Sequence, residues 1–467
     1  MLHVCAAHGG VYTKFGQHVA CMNHVLPIEY TDTLKVLQDK NPSVGLDQVE
    51  KTIWEELGVP LSDLFSEFEE KATAAASLAQ VHRAVTKDGK EVAVKLQYPG
   101  LEQQVRKDLV TMRFLAALLG KLFPDYQYSW LLPDFEESLE LELDFIQEAA
   151  NGERMAHMFR GSSDIYIPKI CWDYTSNRVL TMEFIHGTKI TERDQIDAEG
   201  LSPKRVARSV AHAFGQMIYY HGFVHCDPHP GNLMVREHPD GYGEGFEGVW
   251  RRLMGLLTGK KRHQIVILDH GMYRRLDGNF RHNYCNLWKA FMTQDTALGH
   301  EMAKALGLPE HQYEALSLLF LWRLPGSSAR VGQRITEAER QQLSKKYGGG
   351  MLTAESVNVF LESLPRDMLF VMRTGDLVRS LNRELGATSR QRLKILYQSA
   401  LSGLALPNVE LPLGEGTVEH ELQLPRKLVN PKAPVNMLTA SEAAEVAGIG
   451  PTRSPLWLVW QGRVRLW

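Results

Sequence analysis

Apolar residues recur at helical spacing along most of the chain, and a few short runs alternate at period two instead. Residues 1–40 read as helical: Val11–Gln17 leads into His18–Asn23, and after Leu26-Pro27 a second helix runs from Ile28 to about Asp39. Asn41-Pro42-Ser43 breaks the pattern, and Leu46–Leu57 is an amphipathic helix closed by Gly58 and Pro60. Between residues 63 and 98 the period changes. Phe65 and Phe68 belong to a first strand, Ala72–Ser77 is a loop of very small side chains, and Leu78–Val85 alternates as a second strand. An Asp88-Gly89 hairpin turn then returns the chain as Glu91–Gln97. Two long helical runs follow, Leu101–Leu122 and Trp130–Phe159, before strands resume at Ile165–Tyr174 and Arg178–Glu183. A helix over Pro203–His221 has proline in its first turn, where a missing amide does no harm. Asn232–Val235 and Gln264–Leu268 read as buried strands, and residues 275–404 as successive amphipathic helices broken near Pro309, Pro325, Gly348–Gly350 and Pro365.

At 467 residues the chain is long enough for two lobes or two domains. Divisions are expected near residues 60, 185 and 404, with an insertion over 237–263. The stretch 405–467 is rich in Pro, Gly and Glu without sustained period, and a poorly ordered tail is expected there. A net charge of −3 exerts no bulk pull toward nucleic acid. The five cysteines are scattered with no C-x-x-C, which argues against a disulfide framework and for a reducing compartment. No apolar run is long enough to span a membrane, and the first residues have neither a signal-peptide layout nor an arginine-rich presequence.

The chemistry concentrates in Phe223–Asn232, written FVHCDPHPGN. Pro228 and Pro230 forbid a helix there, so Asp227 and Asn232 sit on a rigid loop. The H-x-D-x-x-x-x-N spacing is that of a kinase catalytic loop, in which a carboxylate meets the attacking hydroxyl or water and a carboxamide grips magnesium. Other stretches fit the same chemistry. Lys95 ends a V-A-V run, as the lysine that holds the α- and β-phosphates does in kinases. Glu142, Asp144 and Glu148 read most simply as helical surface charges, but a kinase-like lobe needs one helix carboxylate for the strand lysine, and Glu148 is chosen. Met182-Glu183-Phe184-Ile185 resembles the hinge that meets adenine, and Asp269 in Asp269-His270-Gly271 is the natural second magnesium ligand. Lys14 and Gln17 share a helix face, whose plain reading is a solvated surface.

Two motifs fail their context tests. His221, His225 and His229 have helical spacing for a metal site, but the prolines end that helix and no cysteine pair completes a zinc set. Gly243–Gly248 matches G-x-G-x-x-G but follows a polar stretch, not an apolar strand, and reads as a flexible loop. Within the insertion, residues 249–262 place Trp250, Leu253, Met254 and Leu257 on one face among basic residues. The plain reading is a solvated hairpin extension; the alternative is contact with an anionic lipid surface.

Taken together, K-x-G-Q (Lys14, Gly16, Gln17), A-A-A-S (Ala74, Ala75, Ala76, Ser77), V-A-V-K, E-L-D-F-x-x-E-A-x-N (Glu142–Asn151), H-x-D-P-H-P-G-N and D-H-G resemble the UbiB family of atypical kinases, the aarF-domain-containing kinases, and most of all their mitochondrial branch. The resemblance implies an α+β, protein-kinase-like bilobal fold. It has an antiparallel-sheet N-lobe, a mainly helical C-lobe and an N-terminal helical K-x-G-Q extension over the active site. It implies ATP and Mg2+ as cofactors. Lys14 would enter the nucleotide site and meet Glu142 or Asp144, Lys95 would pair with Glu148, and Asn232 and Asp269 would bind the metal. Asp227 would be the base or water-orienting group. The alanine loop would replace the glycine-rich phosphate loop, and no A-P-E motif follows Asp269 to dock a peptide. ATP hydrolysis or phosphotransfer in mitochondrial lipid or isoprenoid quinone homeostasis is the implied role; a nucleotide-binding pseudokinase scaffold is the alternative, and a true protein kinase is disfavoured. The chain opens almost on K-x-G-Q, so the family's upstream region is not expected in it.

Overall fold

In chain order the first half forms α1 (Gly10–Ala20), α2 (Leu46–Leu57), β1 (Phe65–Phe68), β2 (Ala74–Ala75), β3 (Ala79–Thr86), β4 (Glu91–Gln97), α3 (Leu101–Leu122), α4 (Leu131–Glu142), α5 (Phe145–Met158), β5 (Ile165–Tyr166) and β6 (Val179–Glu183). The structure, a computed structural model, describes residues 44–122, 131–227, 229–241, 259–309, 312–321 and 364–406, with 2, 3, 5, 10–20, 33, 34 and 341. These lie in one unit, Met1–Leu411.

Alternation explains the first sheet. Its order is β1-β3-β4-β6, with β2 added on β3 and all neighbours antiparallel. On β4, Val92, Val94 and Leu96 face a core shared with Val49 and Ile53 of α2. Ala93 faces the opposite side, where Phe145 and Ala149 of α5 pack. Period two therefore turns Lys95 toward α5 as well. Although α2 falls within residues 1–60, its apolar face belongs to this sheet. The remaining N-terminal helix, α1, packs on α3 and α4 through Val11 and the edge-on pair Phe15–Phe135.

The second half forms β7 (Thr188–Lys189), α6 (Pro203–Gly215), β8 (Phe223–His225), β9 (Leu233–Glu237), β10 (His263–Ile267), β11 (Tyr273–Arg275), α7 (Gly278–Thr293), α8 (Thr296–Ala305), α9 (Tyr313–Leu321), α10 (Arg366–Glu384) and α11 (Ser389–Leu404). A four-stranded sheet runs β5-β10-β9-β7, and β8 pairs with β11. The helices enclose an apolar core that includes Tyr284, Trp288, Leu316, Met368 and Leu396. A π-helical turn, Gln216–His221, extends α6 and ends at Gly222, whose φ of 65° is the left-handed conformation that favours glycine. The widened turn presents the Tyr219 carbonyl to α11, and Arg281 Nη1 donates to the carbonyls of Tyr219 and Gly403, 3.2 Å from each.

Two sequence expectations change. The single helix over Trp130–Phe159 is two helices, because Asp144 turns out of the helix and accepts the Gln147 amide at 2.9 Å as the N-cap of α5. The strand over Ile165–Tyr174 shrinks to β5 plus one bridge, Ile170 to Met182, since Pro168 has no amide to offer a ladder and Trp172–Tyr174 is a helical turn. The insertion leaves the β9–β10 register intact, with Glu237 opposite His263. Gly243–Gly248, most of residues 249–262, most of Ile28–Asp39 and the tail from 407 onward lie outside the described residues. Among the described residues no helix is long and apolar enough to cross a membrane, and Cys5, Cys171, Cys226 and Cys285 are free thiols.

Candidate active site

Two antiparallel pairs pin the Asp227–Asn232 loop at its ends. At one end Tyr273 lies opposite His225, and the Cys226 amide donates to the Met272 carbonyl at 3.0 Å. At the other, Leu233 lies opposite Ile267, and the Leu268 amide donates to the Asn232 carbonyl at 2.9 Å. The loop and the Asp269-His270-Gly271 turn are thereby set side by side. Within the loop, the His229 amide donates to the Asp227 carbonyl at 2.7 Å, and His229 Nδ1 accepts the Gly231 amide at 3.1 Å. Among the described residues the Asp227 carboxylate accepts no hydrogen bond, so its oxygens are open to the cleft that it lines.

Lys95 is the hub of the charge network. Its Nζ lies 2.6 and 2.8 Å from the two oxygens of Glu148 and 3.0 Å from Asp269 Oδ2, and 5.0 Å from the centre of the Phe145 ring. Burial by itself would lower the Lys95 pKa, but Asp269 and Glu148 outweigh it and hold the amine charged. One cation serves two carboxylates, and the surplus negative charge falls where solvent is least. Burial pushes Glu148, 2% exposed, up to about 7 in spite of Lys95. Asp269 opposes its burial with Lys95 and the Gly271 amide and lies well below the carboxylate range.

A second ion pair lines the cleft. Lys14 Nζ of α1 lies 2.6 Å from Glu142 at the end of α4. Burial outweighs Lys14 and raises the Glu142 pKa, while the Glu142 and Asp227 charges raise that of Lys14 against its own burial. Gln17, Ala76 and Ser77 line the same cleft. Asp227 resists its burial through the charges of Lys14, Arg373 and His229, which hold its carboxyl below the usual range. Asn232 and Asp269 line the cleft too and offer the hard oxygen donors that suit magnesium.

Other expected residues are placed elsewhere. Asp144 is exposed and caps α5, so Glu142 alone meets Lys14. Ala74 and Ala75 pair in β2 with Val81 and Gln80, and neither lines the cleft. Glu183 does not line it either: its carboxylate accepts the Tyr166 hydroxyl, and its amide donates to the Lys169 carbonyl at 2.8 Å. His225 is buried in β8 with Nδ1 3.2 Å from the Met272 carbonyl, His229 lies in the loop, and His221 ends the π-helical turn. Among the described residues no three His, Cys, Asp or Glu side chains form a metal-binding group.

Sequence reasoning missed two residues. Asn151 of α5 donates from Nδ2 to the His270 carbonyl at 3.1 Å; its signal was its place one helical turn after Glu148. Arg373 of α10 lines the cleft and is among the charges that hold Asp227 down, and its helix had only an amphipathic pattern to show.

The ABC1 atypical kinase-like domain model matches residues 36–303. The chain is 39% identical over 405 residues to the probable serine/threonine-protein kinase abkD of Dictyostelium discoideum, covering 86% of this chain and 55% of that protein, about half of its length. It is 35% identical over 390 residues to AarF domain-containing protein kinase 1 of Mus musculus, covering 83% of this chain and 70% of that one. Among solved structures, the Rv3197–erythromycin complex from Mycobacterium tuberculosis superposes with a TM-score of 0.53 at 22% identity, covering 86% and 95% of the two chains, a likeness of fold.

Proposed function

Since the chain belongs to the ABC1, or UbiB, family of atypical kinases and has a bilobal kinase-like α+β fold, we propose that it is an ATP- and magnesium-dependent phosphotransferase or ATPase. The observation that supports this best is the placement of Lys95, Glu148 and Asp269 in one network, in a cleft that Asp227 and Asn232 also line.

Each residue has a distinct task in this reading. Lys95, held by Glu148, would contact the inner phosphates. Asn232 and Asp269, which both line the cleft, would hold the metal through oxygen. Mg-ATP supplies the transferable phosphoryl group together with the cation that offsets the carboxylates. Asp227, kept ionised by Lys14 and Arg373, accepts the proton of the attacking hydroxyl or orients a water. With the Lys14–Glu142 pair on the wall of the cleft, the acceptor in this reading is water or a small or lipid-like molecule rather than a folded protein. Mitochondrial lipid or isoprenoid quinone homeostasis is the setting we assign to it, with residues 249–262 as a contact for anionic lipid. Deleting 249–262 should weaken binding to cardiolipin liposomes; unchanged binding removes that contact from the proposal.

The test is phosphate release from Mg-ATP by the purified protein, with and without cardiolipin liposomes and extracted lipids. Asp227→Asn should keep nucleotide affinity and lower turnover on the order of 10³-fold. Equal turnover in the two proteins would favour a pseudokinase scaffold. Asp269→Asn should abolish magnesium-dependent nucleotide binding.

A further inference from the structure

Helix α3 is apolar on two faces. Leu101, Val105, Leu109 and Met112 are buried in a core with Val11 of α1 and with Phe135 and Leu139 of α4. Val110, Phe114, Leu115, Leu118 and Leu122 are instead between 42% and 66% exposed. Among the described residues only one other large apolar side chain is exposed, Trp54 of α2. At about 100° per residue, Val110, Phe114 and Leu118 lie opposite Val105, Leu109 and Met112, with Leu115 and Leu122 beside them. Single exposed apolar residues need no account, but a row along about three turns of one helix marks an interaction surface. The helix is not apolar enough to cross a membrane.

The free charges on this face have one sign. Lys107 and Lys121 lie on the same side of the helix as Val110 and Phe114, one near each end and about 21 Å apart along the axis. Among the described residues neither ammonium group has an ion-pair or hydrogen-bond partner. The other charged side chains of α3 are paired or lie off the apolar arc. Arg113 Nε and Nη2 are each 2.7 Å from Glu136 of α4, Arg106 is 2.7 Å from Glu102, and Asp108 is half-buried. Between the two lysines the arc carries no carboxylate, and its one hydroxyl, on Thr111, donates to the Lys107 carbonyl at 3.1 Å. A protein partner would be matched by about one hydrogen bond per 100–200 Å² of interface, whereas a lipid surface needs none.

We propose that α3 lies on an anionic phospholipid surface, with Phe114, Leu118 and their apolar neighbours among the acyl chains and the Lys107 and Lys121 ammonium groups at lipid phosphates. The aliphatic stem of lysine lets its charge reach the headgroups while the apolar face is buried, and each lysine near an anionic surface adds to binding. This contact is distinct in sequence from residues 249–262. It is also independent of the catalytic reading, because no residue of α3 lines the cleft.

The test uses the full chain without nucleotide, and vesicles of phosphatidylcholine with and without phosphatidylglycerol. Cosedimentation should show binding that rises with phosphatidylglycerol. Phe114→Gln/Leu118→Gln should weaken it roughly tenfold or more. Lys107→Gln/Lys121→Gln should weaken it roughly fivefold for each lysine. Tm should stay unchanged in both, since glutamine is a good helix former and these positions are exposed. Vesicles with brominated acyl chains should quench the fluorescence of Phe114→Trp beyond that of the parent, which decides the matter if a glutamine variant does not fold. The proposal is overturned if the glutamine variants bind as the parent does, if Phe114→Trp shows no added quenching, or if phosphatidylcholine alone binds equally well. Sedimentation equilibrium without vesicles tests another occupant. A parent dimer that Phe114→Gln/Leu118→Gln returns to monomer would give this face to a second copy of the chain and would overturn the lipid contact too.

Discussion

Asn151 and His270 are joined by a 3.1 Å hydrogen bond from the Asn151 side chain to the His270 carbonyl, so the helix that supplies Glu148 also holds the turn that supplies Asp269. Asn151→Ala leaves a buried carbonyl unsatisfied and should cost about 1–3 kcal/mol in urea unfolding. Magnesium-dependent nucleotide affinity should fall with it, although Asn151 is a positioning residue outside the cleft lining. Unchanged affinity would mean that Asp269 is held without it.

Lys95→Met removes one cation from between two carboxylates. Breaking a buried ion pair from one side typically costs about 3–5 kcal/mol, and chemical denaturation of the nucleotide-free protein should show a loss of that order. The double variant Lys95→Met/Glu148→Leu should recover part of it, because only Asp269 of the two carboxylates is then left without its cation.

Glu148 predicts a pH dependence. Its pKa in the folded protein is about 7 against an ordinary 4.5, so the folded state binds the proton more tightly than the unfolded chain. Stability from this group is complete below pH 4.5 and is lost as pH rises toward 7. In metal-free buffer Glu148→Gln should flatten that slope, by up to about 3 kcal/mol. Asp269 has the opposite sign: its lowered pKa supports the fold above the ordinary carboxylate range and fails only in acid. A slope identical in Glu148→Gln and the parent would assign it to other groups.

Lys14 is the foremost of the charges that hold Asp227 below the carboxylate range. In Lys14→Met the acid limb of the kcat/KM profile should therefore move to higher pH, and Lys14→Arg should restore it. A limb that stays in place would separate Asp227 from the rate-determining proton transfer.

Gly403 and Gly375 should respond in opposite directions to the same change. A Cβ on Gly403 would lie 2.0 Å from the Tyr219 carbonyl oxygen, backbone against backbone, and Gly403→Ala should cost about 3 kcal/mol. Gly375 faces open space, and Gly375→Ala should stabilise α10 by up to about 1 kcal/mol. Thermal unfolding of the two variants checks both signs.

Local physics determined much of this protein before any contact was known. Alternation in Glu91–Gln97 assigned Lys95 to the face opposite Val92, Val94 and Leu96, because a strand has only two faces. The prolines of FVHCDPHPGN ruled out a continuous α-helix, although Pro230–Asn232 forms one 3-10 turn that carries Asn232. Partner choice was another matter. Glu142 and Asp144 lie two residues apart, and only the end of α4 separates them: Asp144 is taken by the α5 amide, and Glu142 is left to Lys14. Ala74 and Ala75 were drawn into β2 by β3, which no property of an alanine run foretells. Arg373 reaches the cleft only because a helix far along the chain packs beside the Asp227–Asn232 loop. Side-chain period and backbone restriction act within a few residues and can be read from sequence. Which charges meet across the two lobes depends on where whole elements pack, and only the tertiary structure decided that.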